Sequence, residues 1–106
     1  MVKAMQTVAL QGPTYDAYES ISVSSTAVIL TVATYGARPH AFITVETAPI
    51  RFRLDGTAPT ASEGHLADPG DIIHLHNHDQ LEDFQAIRTS SDAVIKCAYG
   101  NVSKRT

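Results

Sequence analysis

"AFITVETAPIRFRLDG", residues 41 to 56, decides the fold class. In its second half Ile50, Phe52 and Leu54 alternate with Arg51 and Arg53, so apolar side chains point one way and guanidinium groups the other. That period of two belongs to a half-buried strand. The first half, "AFITVET" (41 to 47), is rich in β-branched residues and reads as a second strand. Upstream, "AVILTVATY" (27 to 35) has the same character and is set off by the breaker "GARP". Downstream, "DIIHLHNH" (71 to 78), "FQAIRT" (84 to 89) and "AVIKCAYG" (93 to 100) add three more strands, divided by "DQLED" and "SSD". With "ISV" (21 to 23) and "MQTVAL" (5 to 10) the count reaches seven or eight, and no amphipathic helix of ten or more residues is visible. The expectation is an all-β fold, a small β-sandwich of jelly-roll or immunoglobulin-like type. Its core is expected to hold Ile43, Val45, Ile50, Phe52, Leu54, Ile73, Leu75, Ile87 and Ile95.

The bulk properties fit that reading. A chain of 106 residues makes one domain, and at this size roughly two-thirds of the unfolded surface is buried on folding, enough for one core. A formal net charge of -3 supplies no broad basic field, so nucleic acid is not an expected partner. The lone Cys97 lies in an apolar alternating stretch and reads as a reduced core or interface residue. "MVKAMQTVALQGPTYD" is too polar for a signal peptide or a membrane span, so the chain is expected to be made in a cytoplasm. Residues 1 to about 18 and the tail "NVSKRT" (101 to 106) read as arms on a single domain covering 1–106. Arms and open sheet edges together imply a homo-oligomer, a trimer or dimer.

"DGTAPTASEGHLADPGD", from Asp55 to Asp71, is the longest stretch without strand character and is too long for a plain turn. Thr57, Thr60, Ala61 and Ser62 can satisfy their own backbone through local turns, so an ordered Ω-like loop with a binding or packing role is expected.

His74, His76 and His78 stand at alternate positions in a chain with five histidines. On a strand they share one face with Ile72, adjacent members lying about 6.6 Å apart and the outer pair roughly 13 Å apart. At most two of the three could ligate one ion. Gly70, His76, His78 and Glu82 fall on the spacing of the first cupin motif, and the His76/His78 pair resembles that family's metal ligands. Thr89 stands where the motif ends in glycine, and no histidine follows His78 to build the second motif. A catalytic metal normally takes three protein ligands plus an open position. No metal, no cofactor and no enzymatic activity are therefore expected, and the histidine row reads as a solvated or subunit-facing feature. Asp79, Glu82 and Asp83 cluster in an acidic turn; no nucleophile elbow or phosphate cradle occurs. A carbohydrate-binding sandwich is a further class, lowered by the absence of Trp.

"ITVETAPIRFRLDGTAPTASEGHLADPGDIIHL" followed by "FQAIRTSSDAVIKCAYG" resembles a group of small virion proteins of tailed bacteriophages, over about Ile43 to Gly100. The resemblance implies a β-sandwich that coats or completes the capsid, or joins head to tail. Its partner would be the major capsid protein or a neighbouring virion protein, and its place the capsid surface after assembly in the host cytoplasm. A decoration or cement protein is the expected function. A head-tail or tail subunit and a cupin-like enzyme are the alternatives. The expected contacts are Arg51 and Arg53, the loop residues Thr57, Thr60, Glu63 and His65, and Tyr15 and Tyr18 of the N-terminal arm.

Overall fold

Residues 13–102, the part described in the computed structural model, form two antiparallel four-stranded sheets. The strands are β1 (Pro13–Val23), β2 (Val28–Ile29), β3 (His40–Glu46), β4 (Ile50–Arg53), β5 (His65–Ala67), β6 (Ile72–Leu75), β7 (Gln85–Arg88) and β8 (Ala93–Val102). One sheet has the order β1-β8-β3-β6 and the other β2-β7-β4-β5. The pairs β4·β5, β3·β6, β2·β7 and β1·β8 nest inside one another, so the chain is one long antiparallel hairpin. Rolling that hairpin adds β3·β8 and β4·β7 and closes the two sheets face to face. This is jelly-roll connectivity.

The alternation in the sequence sets which face is buried. In β3 the burial alternates residue by residue, with Ala41, Ile43 and Val45 inside. In β8 Ala93, Ile95, Cys97 and Tyr99 point inward. The inward side chains of both sheets make one cluster, with Tyr99, Phe84, Leu30, Ile43, Ile50, Leu75, Leu81 and Ile95 its largest fully buried members. Full burial of such an aliphatic or aromatic side chain contributes about 1.5–3 kcal/mol. Of the expected core, Ile43, Val45, Ile50, Ile73, Leu75 and Ile95 are buried, and Phe52 and Leu54 pack partly buried against them. Ile87 is a correction. It pairs with Arg51 on the outer face, while Phe84 and Ala86 take the inward positions of "FQAIRT".

Two segments depart from the strand pattern read above. "AVILTVATY" gives only the two-residue β2 and then a single helical turn, α1 (Val32–Tyr35), closed by Gly36 N–H donating to Val32 O at 2.9 Å. The segment must cross from one sheet to the other, and the helical turn delivers Tyr35 onto Tyr99, rings stacked at 4.7 Å. Packing outweighs local β-propensity here. "DQLED" belongs to a second helix, α2 (His78–Asp83), whose N-cap Asn77 accepts from Gln80 N–H at 2.8 Å. Gln80 Oε1 in turn accepts from His76 N–H at 2.6 Å, a reciprocal arrangement related to a capping box. Helix α2 removes His78 from the strand, so the three histidines do not form one row.

Of the arm read over residues 1 to 18, residues 13–18 belong to β1 and the others lie outside the described residues. β1 begins at Pro13, and a bulge between Tyr15 and Ala17 leaves Asp16 without a partner opposite. The bulge turns Tyr15 and Tyr18 to the same outer face. It also brings the two backbones close, since a Cβ on Gly100 would sit 2.1 Å from Thr14 O. Only glycine fits there. "MQTVAL" and residues 103–106 lie outside the described residues; Asn101 and Val102 continue β8.

Glu19 on β1 ties three elements together. It accepts from Thr31 Oγ1 at 2.6 Å, from Thr31 N–H at 3.2 Å and from the buried Tyr99 hydroxyl at 2.5 Å. Burial and this bond to Glu19 push the Tyr99 hydroxyl well above the ordinary tyrosine range. Burial likewise pushes the Cys97 thiol up to about 12.

Candidate functional site

The innermost hairpin, β4 to β5, presents the segment that the sequence marks for binding. Turn chemistry builds it. Asp55 accepts from Thr57 N–H at 3.2 Å, an Asx-turn, with Gly56 in the left-handed region at φ 80°. Thr60 and Glu63 then exchange backbone bonds of 2.9 and 3.2 Å, and Thr60 Oγ1 accepts from Ser62 and Glu63 N–H. The Gln85 side chain donates to Gly56 O at 3.0 Å and ties the near end to β7. The loop is ordered, as expected, and shorter: "HLA" inside it is β5, paired with β4. Three residues between two turns carry too little periodicity to be read as a strand. The far end is the turn Asp68-Pro69-Gly70-Asp71, with Asp71 N–H donating to Asp68 O at 2.9 Å and Gly70 at φ 95°.

Arg53, Leu54, Asp55, Glu63, Gly64 and His65 line an open cleft of about 430 Å³ at this tip. Arg53 holds Asp55 in a two-pronged bond, Nε to Oδ1 at 3.0 Å and Nη2 to Oδ2 at 2.5 Å. That guanidinium, with the Thr57 N–H, holds the Asp55 carboxyl down at about 2. Arg51 lies beneath, its Nη1 donating to Gly64 O at 3.0 Å and its Nε buried without a protein partner among the described residues. The basic pair is therefore engaged within the chain. Arg53 is paired with the Asp55 carboxylate, whereas Arg51 meets only a neutral carbonyl, and the exposed polar residues from Asp55 to His65 are Asp55, Thr57, Thr60, Ser62, Glu63 and His65.

Tyr15 and Tyr18 belong to a different surface. They stand on the outer face of the β1-β8-β3-β6 sheet, 38% and 58% exposed, with Ile72 at 53%. Tyr15 meets Phe42 at 5.9 Å between ring centroids, and Phe42 meets His74 at 5.3 Å. His74 and His76 stack at 6.0 Å, and His40 approaches His76 edge-on at 6.1 Å. The expected contact residues thus fall into two groups on different sheets. Of His40 and His65, the two histidines that only the fold could bring to His74 and His76, His40 reaches His76 through the β3·β6 pairing, while His65 lies at the tip cleft. The cupin-like pair is split: His76 follows β6 and His78 opens α2. The space between the sheets offers no polar lining, since the buried residues among those described are all apolar in class apart from the bonded Tyr99 hydroxyl. Comparison of the chain with protein-family models, curated sequences and solved structures gives no match.

Proposed function

We propose that this chain is a structural protein of a bacteriophage virion, a decoration protein that binds major capsid subunits at their junctions and strengthens the shell. The ordered tip between β4 and β5 carries the reading. A cement contact must be rigid before it binds, because ordering a loop at the interface subtracts from affinity. The tip meets that need through the Thr60–Glu63 bridge and the Arg53–Asp55 pair. The resemblance to small phage virion proteins runs through this segment, and the formal charge of -3 suits a protein that must not adsorb to packaged DNA. Several weak contacts made at once by an oligomer on a repeating shell raise avidity by about 10²–10⁴.

The decisive experiment mixes the purified protein with undecorated shells and follows binding and the temperature at which they rupture. Saturable binding with a raised rupture temperature, weakened by Thr60→Ala with Glu63→Ala, is the expected result. Shells that bind nothing sink the proposal. Copy number in virions separates decoration, at hundreds per particle, from a head-tail ring of about a dozen.

A further inference from the structure

The β3·β6 pairing of the hairpin brings His40 beside two imidazoles distant from it in the chain, His74 and His76. His74 points outward from β6, where its neighbours Ile73 and Leu75 are buried. His76 follows two residues later, its backbone N–H held by Gln80 Oε1 at 2.6 Å. β3 runs antiparallel beside them, pairing Phe42 with His74 and Ala41 with Leu75, so His40 comes level with His76. Two imidazoles from one strand edge and a third from across the ladder form a triangle with His76 at its apex.

We infer that His40, His74 and His76 form a binding site for a divalent first-row transition ion of the zinc type, with the fourth position open to solvent. Two imidazoles holding zinc at about 2.0–2.1 Å in tetrahedral geometry place their ring centroids about 5 Å apart. The two measured separations are 6.0 and 6.1 Å. Among the described residues no three ligand-type side chains converge on one point as they stand. Besides closing about 1 Å, ligation requires His74 and His76, now nearly parallel at 10° between ring planes, to turn their nitrogens toward a common point by χ1 and χ2 rotation on the open sheet face. The backbone already matches, since strand and cross-strand neighbours fix the Cβ positions. An all-imidazole set selects zinc, copper or nickel over magnesium and calcium, which prefer oxygen. The ion would pin the edge strand β6 to β3. This site does not depend on whether the chain sits on a capsid.

The test is calorimetric titration of zinc into the full chain, free of any affinity tag and of chelating buffer. One ion per chain is expected, with affinity falling on acidification because a protonated imidazole cannot ligate. His40→Ala, His74→Ala and His76→Ala should each weaken binding by at least about tenfold, the lower range seen even for outer-sphere changes. His65→Ala and His78→Ala should leave it unchanged, and calcium should give no heat. Circular dichroism establishes that each variant folds, as these side chains are exposed or half-buried. Absence of saturation up to about 1 mM zinc, the weak end of specific affinities, overturns the site. So does a His40→Ala protein that binds as tightly as the unsubstituted chain, or loss of binding in His78→Ala.

Discussion

The hairpin tip and the outer face of the β1-β8-β3-β6 sheet are assembled by different physics. At the tip, residues within a few positions of one another satisfy the backbone: Asp55 with Thr57, Thr60 with Glu63, Asp68 with Asp71. On the outer face Tyr15, His40, Phe42, His74 and His76 come from three strands separated by the whole middle of the chain. Local turn chemistry makes a site whose order rests chiefly on near neighbours, with Gln85 and Asp83 anchoring only its Gly56 end. Strand pairing makes a site that exists only when strands distant in the chain have met.

Four substitutions or conditions would break or sharpen that contrast. Phe84→Ala empties a fully buried position that joins the two sheets and should cost about 3–5 kcal/mol by chemical denaturation. Both surfaces should disappear together in the unfolded chain. Gly100→Ala forces a methyl against Thr14 O, 2.1 Å away, and should cost about 1–3 kcal/mol. Amide exchange should then quicken along β1 while the tip keeps its protection. Equal quickening at both places would refute the independence of the two.

Thr47 sits in the connection from the outer-face sheet to the tip hairpin, at φ 81° with Ala48 N–H donating to Glu46 O at 3.0 Å. A β-branched residue in that region is strained. Thr47→Gly should raise stability by about 0.5–1 kcal/mol, since glycine tolerates that φ, and a lowered melting temperature would count against the strain. The smallest difference near neutral pH lies in the titrating groups, which act at opposite extremes. Asp55 is held down at about 2, so its contribution at the tip is present above the ordinary carboxylate pKa and is lost as pH falls from about 4 to 2. Cys97, raised to about 12, and the raised Tyr99 favour the fold while protonated. Their contribution fades as pH climbs from about 9. In Asp55→Asn the acid-side slope of stability should flatten and the alkaline side stay as it was.

The candidate surfaces were legible to different degrees for the same reason. "TAPTASEG" announces its order through hydroxyl and glycine residues that act on their immediate neighbours, so the loop could be read before any fold was known. β5 escaped because a three-residue strand gains its identity from β4 across the hairpin. Asn77 and Gln80 do carry a helix-start signal, and it was available to mark α2 and separate His78 from His76. Ile87 was misplaced because "FQAIRT" alternates in either phase. Phe84, leaving α2 into the core, chose the phase.

From the chain alone came the all-β class, most of the strand positions, the inward faces of β3, β4, β6 and β8, and the ordered loop. Period-two alternation and turn residues encode these within a few positions, where backbone geometry leaves few options. Tertiary structure decided the nesting of strands into a jelly roll, the helical turn that stacks Tyr35 on Tyr99, and the engagement of Arg51 and Arg53 within the tip. It also decided that His40 rather than His78 stands beside His76. Each depends on which strand lies next to which, and a register shift of one residue would reverse every face. That choice is made by burial summed over the whole core, which no short stretch of sequence contains.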